Sequence, residues 1–207
     1  MNSKGYAKFE SAWIRYLVRH PLTAVGMHWT FQSLFYMDRT ERRFKLVLDV
    51  ALTLLFWLLF QLWLPWFAAI LPAFFVAHTL NFLLNGHLWG ALKHYGYVEN
   101  SYDEFSSYAA HLADRVKANH SIVYAAIYGS CVREEWCSTS DLDVRIIRNK
   151  GFGNGLKACW YCTTERSRAL LFGFPLDMYL LDDTKGLDYL RLDESPTVLL
   201  DRNQEAW

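Results

Sequence analysis

Asp141 and Asp143 stand two residues apart in the run S-D-L-D-V-R, after a spacer of about ten residues from the pair Gly129-Ser130. On a strand, residues i and i+2 leave the same face, so the two carboxylates crowd together while Leu142 and Val144 turn to the core. Like charges at that separation repel unless a divalent cation lies between them, and hard oxygen ligands suit Mg²⁺. Asp177 lies in the apolar run F-P-L-D-M-Y-L-L, where a bare carboxylate is costly, and it completes a triad if its strand neighbours the first. Three such carboxylates can hold a pair of Mg²⁺ ions that clamp the attacking and leaving oxygens of a phosphoryl displacement. Gly129 lets a phosphate approach the backbone, and the Ser130 hydroxyl can donate to it. The bland alternative for the three acids is a solvated strand edge.

The elements that would carry these residues are legible nearby. Ser101 opens a helix with a capping box to Glu104, and Phe105, Tyr108, Leu112 and Val116 make its apolar stripe up to about Lys117. S-I-V-Y-A-A-I-Y-G-S reads as a buried strand ending in a Gly-Ser turn, and D-L-D-V-R-I-I as a second strand with period-two alternation. Gly151, Gly153 and Gly155 read as a plain turn, without the Lys and Ser/Thr of a phosphate-binding loop. The run from Leu156 to Phe172 has helical spacing, and F-P-L-D-M-Y-L-L-D-D is a third strand. This order predicts an α/β (α+β) domain, a small mixed sheet with flanking helices.

The constellation resembles the nucleotidyltransferase superfamily that includes DNA polymerase beta, the aminoglycoside nucleotidyltransferases and the minimal nucleotidyltransferases. Its pattern is an apolar strand, Gly-Ser, a spacer, Asp-x-Asp on the next strand and a third Asp on a later one. Gly129, Ser130, Asp141, Asp143 and Asp177 stand at those positions, with Ser140 before the Asp pair and Arg133 where an arginine is frequent. Minimal members usually carry Gly next, where this chain has Glu134. The resemblance covers roughly residues 101–183. It implies transfer of a nucleoside monophosphate from a nucleoside triphosphate to an acceptor, releasing pyrophosphate. In that scheme Asp141, Asp143 and Asp177 bind Mg²⁺, and Asp177 takes the acceptor's proton. Gly129 and Ser130 hold the β- and γ-phosphates, with Ser140 in the same phosphate-binding group. Arg133 is a phosphate contact or simply an exposed loop arginine.

Ahead of this domain the composition changes. Two apolar blocks of 19 residues, L-V-L-D-V-A-L-T-L-L-F-W-L-L-F-Q-L-W-L and W-F-A-A-I-L-P-A-F-F-V-A-H-T-L-N-F-L-L, flank Pro65, and Asp49 is their one charged residue. A bilayer core takes about 20 apolar residues as helix, so the reading is a two-span transmembrane hairpin over residues 46–84. A buried hairpin in a soluble bundle and a re-entrant loop are the alternatives. Arg39, Arg42, Arg43 and Lys45 precede the first span and place both termini on the cytoplasmic side, at a cytoplasmic or inner membrane. Asp49 reaches water near its helix end, while His78 and Asn81 hydrogen-bond a neighbouring helix.

Residues 1–45 hold eight Lys/Arg against three acids. Phe9, Trp13, Tyr16 and Leu17 mark a helical face that Pro21 would end. That helix lies on the anionic leaflet or packs against the soluble domain. From Ser101 onward twelve Lys/Arg face sixteen acids, which argues against a nucleic-acid partner. Cys131, Cys137, Cys159 and Cys162 are read as packed thiols in a reducing cytosol, with a four-thiolate zinc site as the alternative. Residues 85–100 form a connector, 101–184 the transferase-like domain and 185–207 a tail in which L-D-Y-L-R-L-D-E-S-P could be a short helix.

The expected protein is therefore a membrane-anchored, Mg²⁺-dependent nucleotidyltransferase acting on a lipid-linked or membrane-proximal acceptor. A protein-modifying enzyme that adds AMP or UMP, and a non-catalytic membrane nucleotide sensor, are the competing readings. Two spans are too few for a transport path, so homo-oligomer formation through the hairpin is a further expectation.

Overall fold

Period-two alternation in D-L-D-V-R-I-I needs a partner strand on each side, and the chain supplies them. The structure, a computed structural model, describes residues 20–92, 95–187 and 195–202, so the expected helix around Phe9 to Leu17 lies outside the described residues. The helices are α1 (Pro21–Phe31), α2 (Arg39–Phe60), α3 (Trp66–Leu84), α4 (His87–Leu92), α5 (Tyr102–Ala118) and α6 (Phe152–Leu171). The strands are β1 (Ile122–Tyr128), β2 (Leu142–Arg148), β3 (Leu176–Leu181) and β4 (Thr197–Asp201). The sheet order is β3-β2-β1-β4. β1 is antiparallel to β2 and β4, whereas β2 and β3 run parallel, joined through α6. The result is a mixed α+β fold.

One face of the sheet makes the core. Ile122, Ile127, Leu142, Val144, Ile146, Met178 and Leu180 pack there against Phe105, Leu112 and Val116 of α5 and Ala158, Cys159 and Cys162 of α6. α5 begins as its sequence dictates: Ser101 Oγ accepts from the Glu104 N–H, and Glu104 returns the bond to the Ser101 N–H at 2.8 Å. Cys159 and Cys162 are buried in this core, while Cys131 is half-buried and Cys137 exposed.

Several expectations change. Pro21 opens α1, because its fixed φ and missing N–H suit the first helical position. The connector 85–100 contains α4. Gly153 and Gly155 are not a loop but the first turn of α6, with Gly151 as the cap at φ 97°. A Cβ on Gly155 would meet Thr40 Cγ2 at 3.1 Å, so a small residue there lets α6 approach α2. The tail, of which residues 188–194 and 203–207 lie outside the described residues, adds β4 to the sheet edge at β1.

The two apolar helices α2 and α3 are joined through residues 61–65 and pack on each other. Helix α2 ends at Phe60 and not at Leu64, because residues 61–64 form the turn that Pro65 closes as N-cap of α3. Among the described residues one helix, Trp66–Leu84, is long and apolar enough to cross a membrane. The uncharged part of α2 from Val50 to Phe60 spans about 16 Å at 1.5 Å per residue.

The base of this helix pair is polar and tied to the sheet. Asp49 does not simply face water: its Oδ2 lies 2.9 Å from His78 Nδ1, and its Oδ1 accepts from Asn81 Nδ2 at 3.2 Å. Asn81 also donates to the Lys45 carbonyl at 3.3 Å. Lower down, the buried Glu41 pairs with Arg166 of α6 and accepts the Leu180 N–H of β3 at 2.9 Å. Asp38 accepts the Asp182 N–H at 2.8 Å, and Phe44 packs against the core of the sheet.

Candidate metal centre

The parallel register of β2 and β3 answers the question the sequence left open. Asp143 and Asp177 are directly opposite one another on the neighbouring strands, and Tyr128 of β1 pairs with Asp143 on the other side. Asp141 immediately precedes β2. One carboxylate oxygen from each of Asp141, Asp143 and Asp177 lies within 4.8 Å of the others, and all three residues are half-buried. Oxygens on opposite sides of a bound Mg²⁺ stand about 4 Å apart and those around a Ca²⁺ about 5 Å apart, so the cluster has the span of a divalent coordination sphere and could bind a metal ion.

The electrostatics agree with that reading. Burial first, then the charges of Asp141 and Asp177, push the Asp143 carboxyl up to about 8, with Arg145 acting in the opposite direction. A metal-free cluster therefore keeps a proton on its middle carboxyl at neutral pH. A divalent cation between the carboxylates would offset their mutual repulsion and favour the charged form.

Gly129 is set by this site twice over. It follows the last residue of β1 at φ 84°, a left-handed conformation that other residues adopt at a cost. A Cβ there would also sit 2.1 Å from Asp143 Oδ2. Gly129, Ser130 and Cys131 then form a short 3-10 turn. Ser130 Oγ donates to Ser140 Oγ at 3.1 Å, and Ser140 Oγ also accepts the Cys137 N–H at 3.0 Å. Ser140 is buried and staples the loop between the Gly-Ser turn and the acids. Arg133 donates to Glu135 Oε2 at 2.9 Å. Glu134, in the place where Gly was expected, keeps a left-handed backbone at φ 58°, a conformation that costs a non-glycine residue roughly 1–2 kcal/mol.

Sequence reasoning missed Arg145. It shares the parity of Asp141 and Asp143 on β2, which was the available signal. Its Nη2 lies 3.4 Å from Asp177 Oδ2 and 3.7 Å from Asp143 Oδ1, and its guanidinium stands over the Tyr179 ring at 4.8 Å. Tyr179 lies two residues after Asp177 on the same face of β3. No protein-family model, curated protein or solved structure matches the chain, so the functional reading rests on the chemistry of the site itself.

Proposed function

We propose that this chain is a membrane-anchored nucleotidyltransferase that moves a nucleoside monophosphate from a nucleoside triphosphate to a lipid-linked or membrane-proximal acceptor. The observation that carries the reading is the pairing of Asp143 with Asp177 across β2 and β3, beside Asp141 and against a glycine whose Cβ would meet the Asp143 carboxylate. Mg²⁺ held by the three carboxylates supplies Lewis-acid stabilisation of charge at the transferred phosphoryl group. In the step itself an acceptor oxygen attacks the α-phosphorus, the bond from that phosphorus to the oxygen bridging the β-phosphate breaks, and pyrophosphate leaves. Asp177 accepts the acceptor's proton. The turn at Gly129 and Ser130 seats the β- and γ-phosphates, Ser140 holds Ser130 in place, and Arg133 reaches a phosphate once it leaves Glu135.

The membrane part of the proposal is supported by exposed apolar surface. Leu54, Leu58, Leu62, Trp63, Trp66 and Leu71 of the helix pair all face outward, and contiguous apolar surface of this extent marks a membrane or partner interface. Arg39, Arg42 and Arg43 precede the apolar part of α2, and the tendency of such cations to stay on the cytoplasmic side supports a cytoplasm-facing acid cluster. Phe35 and Tyr36, between α1 and α2, are also exposed, at 77% and 79%.

The test is transfer of label from an α-phosphate-labelled triphosphate by the full chain in native membranes. Label partitioning into the organic phase supports a lipid-linked acceptor. Label retained in protein would replace that acceptor with a protein side chain.

A further inference from the structure

The acid cluster carries a cation of its own. Arg145 lies two residues beyond Asp143 on the same face of β2, 15% exposed, with Nη2 3.7 Å from Asp143 Oδ1 and 3.4 Å from Asp177 Oδ2. Nη1 donates to the main-chain oxygens of Val144 and Asp177, both at 3.1 Å. The guanidinium also stacks over the Tyr179 ring at 4.8 Å. Two main-chain acceptors and the ring anchor the group, and a guanidinium does not give up its proton. It therefore stays charged and in place when a metal arrives.

The charge count then limits the metals. With all three carboxyls deprotonated around a metal, they and the one guanidinium sum to two negative charges, which one divalent ion neutralises. The three carboxylate oxygens within 4.8 Å of one another have the span of one coordination sphere. A second ion bridging Asp143 and Asp177 would have to share their edge with Arg145, where like charges repel strongly in a half-buried setting.

We propose that Arg145 takes the place of the second cation of a two-metal transferase site, so that the protein alone binds one divalent ion. Arg145 is thus a positioning residue that holds Asp143 and Asp177 for that ion. The inference rests on the transferase reading of the triad.

The test is Mn²⁺ titration of the full chain in lipid nanodiscs without nucleotide, with bound ion counted by electron paramagnetic resonance. Wild type is expected to bind one Mn²⁺, Arg145→Lys one, and Arg145→Met two. Two ions in wild type or in Arg145→Lys, or one in a folded Arg145→Met, would overturn the role of Arg145 while leaving the triad as a metal site. Should Arg145→Met fail to fold, the counts for wild type and Arg145→Lys decide. No Mn²⁺ bound by wild type would overturn the metal-centre reading itself, and this inference with it.

Discussion

Gly129 and Asp143 compete for one space: a Cβ on residue 129 would lie 2.1 Å from Asp143 Oδ2. The turn after β1 and the middle carboxylate of the cluster are therefore a single unit, linking backbone conformation to the chemistry of the site. Gly129→Ala is expected to cost about 1–2 kcal/mol through its left-handed backbone alone and to push the Asp143 carboxylate out of the cluster. Urea unfolding measures the first effect. Loss of the rise in melting temperature on adding Mg²⁺ measures the second.

Glu41 joins the helix pair to β3 and α6 through the Leu180 N–H and the Arg166 guanidinium, both buried. Removing one partner of a buried pair leaves an uncompensated charge and costs about 3–5 kcal/mol. Glu41→Ala should show a loss of that size in denaturant unfolding, and adding Arg166→Met should recover part of it. Deleting residues 1–85 would remove Glu41 as well, so it would also destabilise the sheet.

Asp182 accepts from Arg148 Nε at 2.6 Å and from the Thr40 N–H at 3.1 Å. Burial acts to raise its pKa, but the bonds from Thr40 and Arg148 outweigh it and hold the carboxyl below its ordinary 3.8. A depressed folded-state value means that the stabilisation is full above the unfolded value and is lost as pH falls through the folded one. Between about pH 5 and pH 3 the wild type should therefore lose more stability than Asp182→Asn. Urea midpoints across that range check the sign.

Leu58 and Leu71 face outward from the helix pair, 60% and 70% exposed. A lysine near the centre of a membrane-inserted helix costs about 2.5–3.5 kcal/mol. Leu58→Lys combined with Leu71→Lys should release the chain from lipid vesicles in a flotation assay. Unchanged flotation would count against insertion of this surface.

Where the sequence was informative, one local pattern was enough. The parity of Asp141 and Asp143 and the capping box at Ser101 each rest on residues a few positions apart, and the structure keeps both. The pairing of Asp177 with Asp143 depends on sheet order, which no local pattern encodes, so it entered only as a condition. Arg145 had the right parity but was read as an ordinary strand residue. Gly153 and Gly155 point to a turn because glycine disfavours helix; at Gly155 the approach of α6 to Thr40 favours glycine within the helix. β4 was hidden because T-V-L-L-D lacks alternation and pairs along one edge.

The most direct measurement of the central claim is pyrophosphate release by the full chain in native lipid extract with Mg²⁺, comparing ATP, CTP, GTP and UTP. The account predicts release with at least one nucleotide and its disappearance in Asp141→Asn/Asp143→Asn. Binding of nucleoside triphosphate with no release from any of the four, or equal release from the doubly substituted chain, would contradict it.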